Sequence, residues 1–119
     1  MKYRDVDSAA CVTGKPVHAG GIRGREEATG LGVFIGIREF LNNESVVQKI
    51  GLSKGVKDKT VVIQGFGNVG YWAAKFLQES GAKITGVGEW NGAIYNDQGL
   101  PFSLFCFFLS PLTCLSRRS

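Results

Sequence analysis

The chain is poor in the residues that build metal and nucleophile sites. Its 119 residues hold one histidine, His18, and three cysteines, Cys11, Cys106 and Cys114. No C-x-x-C pair occurs, and the cysteines are too few for a small disulfide scaffold, so reduced thiols are the expected state. One histidine cannot complete a zinc site of ordinary ligand spacing, so no metal is expected, and a cysteine–histidine catalytic pair has no support in the spacing. His18 reads as a loop residue. Basic residues exceed acidic ones only modestly, for a formal net charge of +4. They are scattered rather than gathered in a stripe with interleaved aromatics, which argues against nucleic acid as a partner. Met1-Lys2-Tyr3-Arg4-Asp5 leads into mixed polar sequence without an apolar signal core, so secretion is not expected, and no transit peptide is visible. With 44% hydrophobic and 20% charged residues, the chain has the composition of one ordinary globular domain at most, with a modest core.

The informative stretch is Gly65-Phe66-Gly67-Asn68-Val69-Gly70, a G-x-G-x-x-G run between the β-rich Thr60-Val61-Val62-Ile63-Gln64 and an amphipathic helical pattern. Its glycines answer three needs: a tight strand-to-helix turn, close approach of backbone to phosphate, and close packing of helix on sheet. The following helix aims free N–H groups and its positive dipole end at an anion. The run alone is weak, because glycine-rich turns also join strands to helices in proteins that bind nothing. Context strengthens it. Glu89 follows about 20 residues after the last glycine, ending the apolar run Ile84-Thr85-Gly86-Val87-Gly88, where an acid accepts hydrogen bonds from a ribose diol. The expected fold is α/β: a partial Rossmann-type dinucleotide-binding domain, with a βαβ unit preceded by a long helix. A complete fold of that type needs about six strands, so the chain reads as part of a protein.

Residues 12–24 carry four glycines and Pro16 and read as a loop, given positive charge by Lys15 and Arg23. From Arg25 to about Asn42, Ala28, Leu31, Phe34, Ile37, Phe40 and Leu41 recur at helical spacing as one buried face. Gly30, Gly32 and Gly36 weaken that helix and are expected to serve close packing. The Thr29 hydroxyl can bond a ligand or the carbonyl one turn earlier. A shorter helix is expected over Glu44–Ile50, ended by Gly51. Thr60–Gln64 reads as a buried parallel strand. On the helix from Asn68 to Ser80 the expected stripe is Val69, Ala73, Phe76 and Leu77, flanked by Tyr71 and Trp72. Gly81 ends it, Lys83–Gly88 is the second strand, and Asn91-Gly92 turns the chain into Ala93-Ile94-Tyr95. Beyond Gly99, Pro101 to Leu115 is apolar without helix or strand periodicity. It is shorter than the ~20 residues of a spanning helix and is broken by Pro111, so a membrane anchor is disfavoured. It reads as a non-native end from a truncated or misjoined gene, exposed as an apolar patch.

Three runs in order, Val12-Thr13-Gly14-Lys15-Pro16, Gly20-Gly21-Ile22-Arg23-Gly24-Arg25 continuing to Ala28-Thr29-Gly30, and Gln64 to Gly70, resemble NAD(P)-dependent glutamate dehydrogenases over Asp5 to Gly99. The resemblance implies oxidative deamination of L-glutamate to 2-oxoglutarate and ammonia, with hydride passing to the nicotinamide, in a usually hexameric homo-oligomer. It implies dinucleotide contacts for Thr29 and Asn68, the adenine ribose for Glu89, and a substrate-side position for Arg25, whose guanidinium suits planar carboxylates. Together with the turn itself, the candidate cofactor residues are Thr29, Gly65, Phe66, Gly67, Asn68, Val69, Gly70 and Glu89. The implied division is 1–24 for the end of the substrate-domain side and linking loop, 25–99 for the N-terminal part of the dinucleotide-binding domain, and 100–119 for a tail outside the family. The family's catalytic lysine and aspartate match no position here, so no catalytic residue is assigned. Leu31 replaces an arginine that animal members use in GTP inhibition, and that regulation is not expected. Glu89 repels a 2′-phosphate and Trp90 follows it rather than a basic residue, so NAD is favoured, with NADP as the alternative. The implied compartment is mitochondrial or cytoplasmic. The competing reading is a catalytically inactive product that associates with full-length subunits or a membrane surface. A sheet cut after two strands is further expected to expose an apolar edge.

Overall fold

The computed structural model describes residues 8–12 and 14–105. Cys106, Cys114 and the remainder of the C-terminal stretch lie outside them, as does Thr13. Short 3-10 turns at Ser8–Cys11 and Val17–Ala19 precede α1 (Arg25–Asn42) and α2 (Glu44–Lys49). Then come β1 (Thr60–Gln64), α3 (Asn68–Glu79), β2 (Lys83–Glu89), β3 (Gly92–Tyr95) and a 3-10 turn at Phe102–Leu104. The three strands form one sheet in the order β1-β2-β3. β1 runs parallel to β2, with Thr60 opposite Lys83 and Gln64 opposite Gly88, while β3 pairs antiparallel with β2 through Glu89 and Gly92.

Local chemistry accounts for the element boundaries. α1 starts after Gly24 in the left-handed region at φ 80°, with Glu26 and Glu27 in its positive first turn. The Asn43 side chain caps α2 by accepting from the Ser45 N–H at 3.1 Å. α2 and α3 end on left-handed glycines, Gly51 and Gly81. In each case the next N–H reaches back one turn, Leu52 to the Val47 carbonyl and Ala82 to the Leu77 carbonyl, both at 3.0 Å.

β2 is the buried strand, with Ile84 and Val87 each 1% exposed. β1 corrects the expectation of a buried strand: among the described residues nothing pairs with its outer edge, and Val62 is 69% exposed. Among the described residues β1 thus leaves one edge of the sheet open, and a third strand, where two were expected, lies on the far side of β2.

On α3 the buried residues are Tyr71, Ala73, Ala74 and Leu77, whereas Val69 is exposed and Phe76 half-buried. This shifts the expected stripe, because α3 is covered on two sides, by the sheet and by α1. The seam with α1 is closest at Gly30, where an added Cβ would lie 2.4 Å from the Trp72 Cβ and 2.8 Å from the Ala73 nitrogen. Contact there draws Leu31, Phe34, Ile37 and Leu41 toward the core and turns Ala28 and Phe40 outward, as their angular offset requires. Gly32 and Gly36 face open space among the described residues, so close packing applies to Gly30 alone.

The stretch after Gly99 also departs from expectation in its described part. The Leu100 N–H bonds the Ile84 carbonyl at 2.7 Å, and the turn that follows folds Phe105 fully into the core. Phe66, Tyr71, Phe102 and Phe105 close a ring of aromatic contacts with centroids 4.9–6.2 Å apart. The start of the stretch is packed because its rings have an apolar floor to meet, which periodicity could not reveal.

Gly30→Ala is expected to lower unfolding stability by about 1–3 kcal/mol through overpacking of the α1–α3 seam. Gly36→Ala, in open space, is expected to gain about 0.5–1 kcal/mol from helix propensity. Urea denaturation followed by circular dichroism checks both, and equal behaviour of the two variants would refute the seam.

Candidate functional site

β1 and β2 are parallel, so their carboxyl ends open on the same side, and the glycine turn leaves β1 there. Gly65 takes φ 83°, a left-handed conformation that a side chain would strain, and its N–H is tied to the Gly88 carbonyl at 2.8 Å. Gly67 is extended, and an added Cβ would meet no atom within 4 Å. Gly70 is the close-packed one: a Cβ there would lie 2.1 Å from the Gly65 carbonyl oxygen. The tight turn at Gly65 and the close packing at Gly70 are as anticipated, and at Gly67 the outside of the turn is open.

Phe66 splits its roles. Its ring is 2% exposed within the aromatic ring of contacts, so only its backbone can serve a ligand. Its N–H donates to Oε1 of Glu89, the last residue of β2, while Oε2 accepts more weakly from the Trp90 N–H at 3.4 Å. Glu89, Gln64, Gly65, Gly88 and Trp90 line one cleft of about 340 Å³ at the strand ends. Trp90 is 93% exposed; sequence reasoning used it only for cofactor choice, although an uncovered indole beside the acid was a legible signal for a cleft wall.

Asn68 opens α3, a helix with no side-chain cap and no acid in its first turn. Its amide donates to the Glu26 carbonyl at 2.7 Å, joining the starts of α3 and α1. Nothing local in the sequence signals this bond. Val69 is exposed beside it. Arg25, the exposed first residue of α1, lines a second cleft of about 520 Å³ with Lys15, Glu26 and Asn68 among others. Thr29 stands exposed one turn along α1 from Arg25. The structure therefore gathers Gly65 and Glu89 at one cleft and Arg25 with Asn68 at another, and the glycine turn lies between them. Among the described residues no cluster suited to a metal ion occurs.

A parallel strand pair with a glycine turn, a helix on the sheet and an acid at the second strand's end defines part of a Rossmann-type α/β fold. The chain belongs to the Glutamate/Leucine/Phenylalanine/Valine dehydrogenase family, whose model matches residues 20–106. It is 68% identical over 96 residues to the mitochondrial glutamate dehydrogenase of Dictyostelium discoideum, covering 81% of this chain and 19% of that protein. It is 42% identical over 99 residues to the catabolic NAD-specific glutamate dehydrogenase RocG of Bacillus subtilis, covering 83% and 22%. Among solved structures it resembles glutamate dehydrogenase from Peptoniphilus asaccharolyticus, with a TM-score of 0.62 and 37% identity over 81% of this chain and 24% of that one. The hetero-hexameric glutamate dehydrogenase of Thermus thermophilus, in its leucine-bound form, gives a TM-score of 0.61 and 28% identity over 93% and 24%. The chain spans about a fifth of the length of the curated relatives it matches. No helix among the described residues is long and apolar enough to cross a membrane.

Gly70→Ala is expected to destabilise the chain by about 1–3 kcal/mol, because a backbone carbonyl cannot yield as a side chain can. Gly67→Ala is expected to stay within about 0.5 kcal/mol of the parent, as a surface change without a clash. Thermal unfolding of the two variants distinguishes the packing glycine from the one that leaves room.

Proposed function

We propose that the chain supplies the first part of the cofactor domain of a glutamate dehydrogenase, which oxidatively deaminates L-glutamate to 2-oxoglutarate and ammonia. The observation that carries this reading is the meeting of the Phe66 N–H, the unfilled flank of Gly67 and the Glu89 carboxylate at the parallel strand ends. These residues fit a dinucleotide. The backbone of the turn and the uncapped start of α3 receive the pyrophosphate, through N–H groups and the helix dipole. Glu89 accepts from the adenine ribose. When bound, NAD supplies the nicotinamide ring that takes up the substrate's hydride.

The remaining residues follow from their places. Thr29 and Asn68 hold the dinucleotide along the α1–α3 junction, with Gly65, Val69 and Gly70 shaping the turn. Arg25 faces the substrate side, where its charge attracts the carboxylates of glutamate. No general acid or base is assigned to this chain, so those groups belong to other parts of the complete enzyme. Residues 1–24 complete the substrate-domain side and linking loop, and 25–99 begin the cofactor domain. The complete protein is read as a homo-oligomer, hexameric as in the family, in mitochondria or cytoplasm. NAD is preferred to NADP because Glu89 repels a 2′-phosphate, a reading supported by the NAD-specific Bacillus subtilis relative.

Calorimetric titration of the chain with NAD tests the site. Saturable binding is expected, weakened at least about tenfold in Gly67→Ala, whose added methyl enters the phosphate's space; equal binding by both proteins would overturn the assignment. In the complete protein, kcat/KM is expected to favour NAD over NADP, and the reverse order would overturn the role given to Glu89.

A further inference from the structure

The Phe66 N–H carries one proton, and in this structure the Glu89 carboxylate holds it. A phosphate oxygen that reaches the Phe66 N–H competes for that same proton, since a backbone N–H makes one strong bond. Two anionic acceptors thus compete for one donor, and the incumbent bond is charge-assisted. Among the described residues the second oxygen of Glu89 is held only by the long contact to the Trp90 N–H at 3.4 Å, so a single strong bond keeps the carboxylate on the turn. A vicinal diol offers the carboxylate two O–H donors in exchange for the one N–H it gives up. Inorganic phosphate and pyrophosphate offer it no such vicinal pair.

We propose that Glu89 gates the glycine turn: it withholds the Phe66 N–H from phosphates that arrive alone and releases it to ligands that bring a ribose diol to the same cleft. This rests on the dinucleotide reading of the cleft and goes beyond it, because ribose recognition and phosphate binding become one coupled event rather than two adjacent contacts. The consequence is specificity against free phosphate and pyrophosphate, which share the cofactor's charge but lack its diol.

The test uses inorganic pyrophosphate as the probe and the full chain in four forms: parent, Glu89→Asp, Glu89→Ala and Gly67→Ala. Aspartate keeps the charge, but its side chain is one methylene too short to keep the bond to Phe66. If Glu89 is a gate, Glu89→Asp and Glu89→Ala both bind pyrophosphate about tenfold tighter than the parent, the scale of one charge-assisted hydrogen bond. In the same variants the 15N-resolved Phe66 amide proton resonance moves upfield, a readout independent of any ligand. If simple charge repulsion is responsible, Glu89→Ala binds tighter while Glu89→Asp matches the parent, and the gate is refuted. It is refuted too if the Phe66 amide does not shift in Glu89→Asp, or if no variant binds pyrophosphate. Failure of the underlying reading looks different, namely NAD affinity that is unchanged in Gly67→Ala.

Discussion

Burial of the Phe66 ring is the constraint on which the site depends. The ring packs against Phe105 at 4.9 Å and edge-on to Tyr71 at 6.2 Å. Removing such a side chain from water contributes about 1.5–3 kcal/mol, so the residue between the first two glycines is anchored inward. With the ring fixed, the peptide preceding it has one orientation, and Gly65 must adopt a left-handed conformation to deliver the chain from β1 into it. The Phe66 N–H then faces the end of β2, and Gly67 is left on the outside. The open half of the turn is a consequence of how firmly the other half is buried.

Two side chains beside the turn already have protein partners. Asn68 donates to a carbonyl of α1, and Glu89 accepts from the turn itself. A ligand that takes up either side chain exchanges a bond rather than adding one, so its net gain there is modest. Affinity then comes from geometry held in advance, which is the work of the aromatic packing and the Gly30 seam. Asn68 carries this order further, because its bond to Glu26 couples the start of α3 to the helix that bears Arg25 and Thr29. The cleft lined by Arg25 is thereby fastened to the start of the helix that follows the glycine turn.

The helix limits, the glycine turn and the hairpin were legible in the chain, since each is written in residues adjacent to the feature. The helix from Arg25 to about Asn42 was legible because apolar residues recur along it at three- and four-residue intervals. Burial was less legible. Val69 and Phe40 satisfy helical spacing yet face outward, because the partner surface, not the period, decides which part of an apolar arc is covered. Thr60–Gln64 has the composition of an interior strand but lies at the sheet's edge among the described residues. Phe102 and Phe105 had no periodicity to announce them and are held by contacts with residues some 30 to 40 positions away.

Local chemistry alone thus determined the order of elements, the turn conformations that require glycine, and the α/β class. It also placed Glu89 at the end of the second strand. Only the tertiary structure decided that the acid's carboxylate reaches the Phe66 N–H, that Asn68 ties two helix starts together, and that Gly30 rather than Gly32 or Gly36 sets the helix spacing. The division has a physical basis. A residue's backbone preference is set by its own atoms and its neighbours, whereas a bond across 23 or 42 positions exists only once the packing of separate elements has fixed their distance.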